Sequence, residues 1–240
     1  GLSWSTGGAS LWNVAFGPSG AVNLATFTTA STNPFTLTGL TPGTTYDVYV
    51  RDSCGSGTSS LWIGPVTFTT PCTSITAPWS ENFDGANWVT STHFQAGSID
   101  PCWNRSATNV FWWKAETGAT PTGGTGPLGD HTSGTGQYMH TETANGLTPT
   151  WLESPVIDLD TLSNPELTFF YHMFGGQIQK LDVEISVNGG AYINLWTATG
   201  AQQTAATDPW KKAIIPLASY TGDSVRIRWF GYRNWVCSTR

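Results

Sequence analysis

The chain is 240 residues long and charge-poor, with 11% charged residues and a formal net charge of −6. A phosphate backbone is bound by clustered Lys and Arg, so nucleic acid is excluded as a partner. No run of about 18 apolar residues occurs, so membrane insertion by a helix is excluded too. Thirteen Trp and 27 Gly, with few helix-forming residues, are the composition of a β-rich extracellular protein.

Taken in chain order, the alternating segments begin with the aromatic run WNVAFG at 12–17. TYDVYVR at 45–51 then places Tyr46, Val48 and Val50 on one face. LDVEISV at 181–187 puts Leu181, Val183, Ile185 and Val187 on one face and Asp182, Glu184 and Ser186 on the other, which reads as a wet face. SVRIRWF at 224–230 turns Val225, Ile227 and Trp229 inward and Arg226 and Arg228 outward. Turn signals such as Pro42-Gly43, Asn188-Gly189-Gly190 and Thr221-Gly222-Asp223 separate such runs. No segment holds a 3.6-residue period over three turns. Many short strands with regular turns predict an all-β chain of sandwiches or jelly rolls. Composition changes near Pro71-Cys72: before it only Asp47, Arg51 and Asp52 are charged. A domain boundary is expected there, giving segments 1–71 and 72–240.

Cys54, Cys72, Cys102 and Cys237 form neither a CxxC pair nor a zinc-like set with His. A disulfide in an oxidising compartment is the expectation, and four cysteines leave three full pairings open. There is no HExxH, no GxSxG elbow and no phosphate loop opening a helix. No pair of carboxylates is selected by its spacing as a glycosidase requires. The chain is therefore expected to be non-catalytic. His172, within FFYHMF, is expected to be a packed residue, and His131 a hydrogen-bonded anchor in its Gly-rich loop.

Residues 1–71 resemble the fibronectin type III family through Trp4 in LSWS, the aromatic run WNVAFG and LTGLTPGTTYDVYVR. Leu40, Pro42 and Tyr46 match its tyrosine corner, in which the ring packs and the hydroxyl bonds backbone a few residues upstream. The resemblance implies a β-sandwich whose first strand is missing.

Within the segment 72–240, residues 72 to about 233 resemble the MAM family through ENFDG, PCWNR, TGPLGDHTSGTGQYMHTET, LESPVIDL, LTFFYHMFG and WKKAIIPL. This implies a jelly roll, with a last strand missing or replaced by Asn234–Arg240, and open edges that invite strand-mediated self-association. It also implies a Cys72–Cys102 disulfide, with Cys54 and Cys237 free or intermolecular. A structural calcium is implied at Asp84 and Asp130, joined by Glu81, because Ca²⁺ takes hard oxygens from carboxylates and loop carbonyls. Trp103, Trp113, Trp196 and Trp210 are expected in the core. Trp112 should then face outward, opposite its neighbour Trp113. With Trp88 and Trp151 it is a candidate platform for a sugar or a protein partner. The whole reads as a secreted, extracellular binding module of the kind found in bacterial modular proteins. Its ligand is expected to be a polysaccharide, or else an extracellular protein.

Overall fold

Alternating apolar side chains can be buried on one side only if the backbone is extended, and the chain obeys this throughout. The computed structural model describes residues 1–54, 57–91, 95–106, 112–142 and 149–233. Two compact units form, Gly1–Cys72 and Thr73–Arg240.

The first unit holds β1 (Trp12–Pro18), β2 (Thr28–Ala30), β3 (Thr45–Asp52) and β4 (Ile63–Thr69). They make one antiparallel sheet in the order β2-β1-β3-β4, and Leu2 bridges to Phe35. Trp12, Val14, Ala30 and Val48 form its core. Tyr46 is buried against Phe68, and its hydroxyl accepts the Thr41 amide at 3.0 Å. Buried Asp47 accepts from Thr67 Oγ1, the Gly20 amide and Ser19 Oγ, which together hold its carboxyl below the usual range.

The second unit is all-β as well. Its strands are β5 (Ile75–Thr76), β6 (Asn104–Arg105), β7 (Trp112–Thr117), β8 (Gln137–Glu142), β9 (Thr150–Glu153) and β10 (Ile157–Asp158). They continue with β11 (Glu166–Tyr171), β12 (Ile178–Val187), β13 (Ile193–Thr199), β14 (Lys211–Pro216) and β15 (Ser224–Arg233). A single 3₁₀ turn, Ala218–Tyr220, is the one helical element among the described residues. The large sheet runs β13-β12-β15-β10-β5, with β9 also paired to β15 and β6 to β9. Opposite it lie two ribbons, β7-β8 and β11-β14.

Val183, Ile185, Val225 and Ile227 point inward from β12 and β15 and are at most 1% exposed. Burying each contributes about 1.5–3 kcal/mol. A second cluster gathers Trp88, Trp103, Trp113, Leu152, Met173 and Leu181. Both clusters lie between the large sheet and the ribbons, so the even-numbered residues of β12 and β15 are turned to the outside. Cys72 and Cys102 are both disulfide-bonded. Cys54 is free and exposed, and Cys237 lies outside the described residues.

Candidate functional site

The outward face of the large sheet carries an ordered set of rings and charges. β15 presents Arg226, Arg228, Phe230 and Tyr232, β12 presents Lys180, Asp182, Glu184 and Ser186, and β9 presents Trp151 and Glu153. Pairing sets them in rows: Arg228 lies between Glu184 and Glu153, and Phe230 between Asp182 and Trp151. Phe230 stacks on Tyr232 at 5.3 Å between centroids. Arg228 donates to Glu184 Oε2 from Nε at 2.9 Å and from Nη2 at 2.6 Å. Its guanidinium lies 3.7 Å from the Tyr192 ring, 5.0 Å from Phe230 and 5.8 Å from Trp151. Such contacts combine charge with the ring quadrupole. The Tyr192 hydroxyl donates to Glu153, and burial followed by that bond pushes its pKa up. Lys180 pairs with Asp182 and sits 4.1 Å from the Tyr232 ring. Asn104 Nδ2 donates to Glu153 Oε1 at 3.0 Å.

The second feature is built from two loops. Asp84 Oδ1 accepts the Gln137 amide at 2.7 Å. Asp130 Oδ1 accepts the Gly136 amide at 2.7 Å and Ser133 Oγ at 2.9 Å. Its Oδ2 accepts the amides of Thr132 and Ser133, each at 2.9 Å. Partial burial raises the Asp130 pKa, but the bonds from Ser133, Thr132 and Gly136 outweigh it and hold the group at about 2. Adjacent amides thus serve two carboxylates, which converge on Gly136. A Cβ there would lie 3.0 Å from Asp84 Oδ1 and 3.3 Å from Asp130 Cγ. Phe83, at φ 64, turns its ring onto Trp88 and Trp103 and aims Asp84 at this loop. Among the described residues no three of His, Cys, Asp and Glu come together.

A family model, the MAM domain (meprin/A5/mu), matches residues 92–229. The chain belongs to the MAM family. MAM domain-containing protein 2 of Homo sapiens is 36% identical over 107 residues, covering 43% of the chain and 15% of that protein. Thyroid hormone-induced protein B of Xenopus laevis is 37% identical over 113 residues, covering 45% of the chain and 15% of that protein. Neuropilin-1a of Danio rerio is 38% identical over 98 residues, covering 38% and 10%. The chain thus spans at most 15% of the length of these relatives. They are vertebrate proteins, and none supports the bacterial source that the sequence suggests. The MAM domain is a non-catalytic module, and no catalytic family is indicated.

Within the second unit the expected residues fall in different places. Asp84 and Asp130 meet at Gly136. Glu81 is turned instead to the Phe83 amide at 2.7 Å, and burial, the largest effect, pushes its pKa up. Trp113 is buried and Trp112 is partly exposed on β7. Trp151 is partly exposed on the face just described. Trp88 must be corrected: it is 3% exposed and packs edge-on against Phe83 and Trp103, so it offers no platform. Trp210 is not a core ring; it donates to the Gly129 carbonyl at 3.2 Å and meets Tyr138 and His172 edge-on. His131 stacks on Phe170 with centroids 3.4 Å apart. Asp182 is not part of a wet face, because Lys180 and Thr197 cover it to 3% exposure. Phe230, Tyr232 and Tyr192 escaped the sequence reading. The first two share the parity of Arg226 and Arg228, a signal that was available.

Proposed function

We propose that the chain is an extracellular, non-catalytic recognition region of a larger secreted protein, and that its MAM domain binds a polysaccharide on the outward face of the large sheet. The observation that carries this reading is the row Trp151, Phe230 and Tyr232 with carboxylate, guanidinium and amide groups at the same level. Sugar rings offer an apolar face for stacking and hydroxyls that bridge donors and acceptors, and this face supplies both. Affinity electrophoresis against a panel of neutral polysaccharides tests it. Retardation of the wild type that falls for Trp151→Ala and Tyr232→Ala, with unchanged melting, is the expected result; no retardation by any polysaccharide refutes it.

A second reading, protein adhesion, is favoured by Phe170 and Ile214, which are 40% and 53% exposed on one face of the β11-β14 ribbon. Calcium belongs to the same proposal. Asp84 and Asp130 are its proposed ligands because both carboxylates reach the Gly136 loop, and Asp130 would exchange for the ion some of the Thr132, Ser133 and Gly136 donors that now fill its oxygens. A bound ion would supply charge neutralisation there and tie the 81–85 and 129–136 loops together. The first unit is read as fibronectin type III-like, supported by the bond from the Thr41 amide to the Tyr46 hydroxyl.

A further inference from the structure

The sheet of the first unit carries on its outward face a cation that no described group neutralises. Trp12, Val14 and Val48 form the core side of that sheet, so Asn13 and Arg51, which pair in register, point the other way. Arg51 is the only Lys or Arg in residues 1–72, and the only acids there are Asp47 and Asp52. Asp47 is satisfied by Thr67, Gly20 and Ser19. Asp52 has the core-side parity, and its Oδ2 lies 2.9 Å from where a Cβ of Gly7 would be. Among the described residues Arg51 has no ion pair and no side-chain hydrogen bond, and its Nε is buried without a partner. The two residues of this unit outside the described set, Gly55 and Ser56, carry no charge. Arg226, Arg228 and Lys180 on the large sheet of the second unit differ in this respect, since each already holds a carboxylate.

The guanidinium is aimed rather than loose. Phe27 and Trp62 meet edge to face with centroids 6.0 Å apart, and Arg51 Cζ lies 5.1 Å from the first ring and 4.4 Å from the second. The rings thus form a corner in which the guanidinium sits, held by cation–π attraction. Arg51 is half-buried, with its Nη groups reaching solvent. A planar fork fixed in this way is preorganised for bidentate recognition of a carboxylate. One positive charge matches one carboxylate, whereas a doubly charged phosphate calls for more than one cation. The surroundings narrow the source of that carboxylate. Phe27 is 42% exposed and presents an apolar rim, while Asn13 is 5% exposed and already accepts from Thr29 Oγ1. An acidic sugar needs partners for its hydroxyls beside the carboxylate, and this corner offers rings instead. An acidic side chain next to an apolar one matches a single fork flanked by rings. Recognition falls to side chains, because edge strand β4 contains Pro65, which has no N–H, and its pairing shifts between Val48 and Val50.

We infer that the corner formed by Phe27, Arg51 and Trp62 is a docking site for an acidic segment of another polypeptide, with one carboxylate bidentate on the Arg51 fork and an adjoining apolar side chain against the rings.

The test titrates the full chain with a capped peptide of about seven residues that carries one glutamate between two leucines, and follows the Trp62 indole N–H by NMR. The same peptide with glutamine in place of glutamate is the control. The expected result is a saturable shift with Kd at or below about 1 mM for the glutamate peptide, and binding at least about tenfold weaker for the glutamine one. Arg51→Met should weaken the glutamate peptide at least about tenfold, and Arg51→Lys, which keeps the charge but loses the fork, should fall between. Phe27→Ala removes one wall at an exposed position and should also weaken the peptide, so the site stays testable if the Arg51 variants fail to fold. Trp151→Ala should leave the response intact, which separates this site from the polysaccharide face. Four outcomes overturn the inference. They are no saturable shift up to about 10 mM peptide, an equal response to the glutamine peptide, unchanged binding by folded Arg51→Met, and binding of polygalacturonate that disappears in Arg51→Met. The last would assign the corner to an acidic sugar.

Discussion

Gly136 is the point at which the calcium proposal is most exposed to test, because both carboxylates close on its Cα. Alanine there places a Cβ 3.0 Å from Asp84 Oδ1, 3.2 Å from Ser133 Oγ and 3.3 Å from Asp130 Cγ. Contacts this short must open by a few tenths of an ångström, about the whole width of the 2.3–2.6 Å window for calcium–oxygen distances. At a calcium concentration of about 100 Kd the wild type gains about 2.7 kcal/mol, and a tenfold weaker site gains about 1.4 kcal/mol. For a domain of this size each kcal/mol moves Tm by about 2–4 °C. The wild-type increment is therefore about 5–11 °C, and Gly136→Ala should halve it or do worse. The measurement is differential scanning of each protein in chelator and in calcium. Comparing increments removes the separate gain of about 0.4–1 kcal/mol that alanine brings by restricting the unfolded chain. Gly123→Ala is the control, since nothing lies within 4 Å of its Cβ position. A full calcium increment in Gly136→Ala, or none in the wild type, would refute the reasoning.

The depressed pKa of Asp130 fixes a pH dependence. Its carboxyl titrates near about 2 when folded against 3.8 unfolded, so its contribution is complete above about pH 4 and is lost as pH falls through 2. Acid unfolding should show a steeper loss between pH 4 and 2 for wild type than for Asp130→Asn. Arg228→Met removes both bonds to Glu184, whose side chain is 18% exposed, and should cost about 1–3 kcal/mol in urea titration; no loss would mean the pair is solvated. Trp88→Ala should cost about 3–5 kcal/mol or abolish folding, the mark of a core ring. Binding of a neutral polysaccharide should be insensitive to salt, checked by retardation at low ionic strength and at about 1 M, where the Debye length is ~3 Å.

Parity made the strands legible. LDVEISV and SVRIRWF have their inward residues where alternation puts them, because a period of two admits one buried side. Trp112 and Trp113 separate for the same reason. What parity cannot supply is the neighbour across the sheet. Asp182 looked solvated because its covering groups are Thr197 on β13 and Lys180 two residues back, and register alone brings Thr197 there. Tyr192 reaches Arg228 and Glu153 only because pairing shifts at Val183/Glu184, an irregularity with no signature in LDVEISV. Asp84 and Asp130 were identifiable as oxygen donors. Their meeting depends on a bond between residues 53 positions apart and on the turn at Phe83, neither of which spacing reveals. Trp88 misled because it belongs to no alternating run, so nothing local marks it as buried.

The salt prediction rests on how the charges of the outward face are used. Arg228 is held by Glu184, Lys180 by Asp182, and Arg226 lies 3.5 Å from Glu153. Each of these cations already has its anion, and the long side chains are further fixed by Tyr192 and Tyr232. An anionic polysaccharide would have to displace a carboxylate from a partly buried pair and leave that carboxylate without its donor, a loss of about 1–3 kcal/mol for each pair broken. A neutral sugar meets no such obstacle. Its hydroxyls would donate to the remaining lone pairs of Glu153 and Glu184 and accept from guanidinium N–H groups, while its apolar face would lie on Trp151 or Phe230. The pairing of charges within the sheet therefore keeps the face polar without giving it a field, so that on the proposed reading it would select ligands by shape and hydroxyl geometry rather than by charge. Retardation that collapses at high salt would show that the pairs open on binding, and would move the ligand to the anionic class.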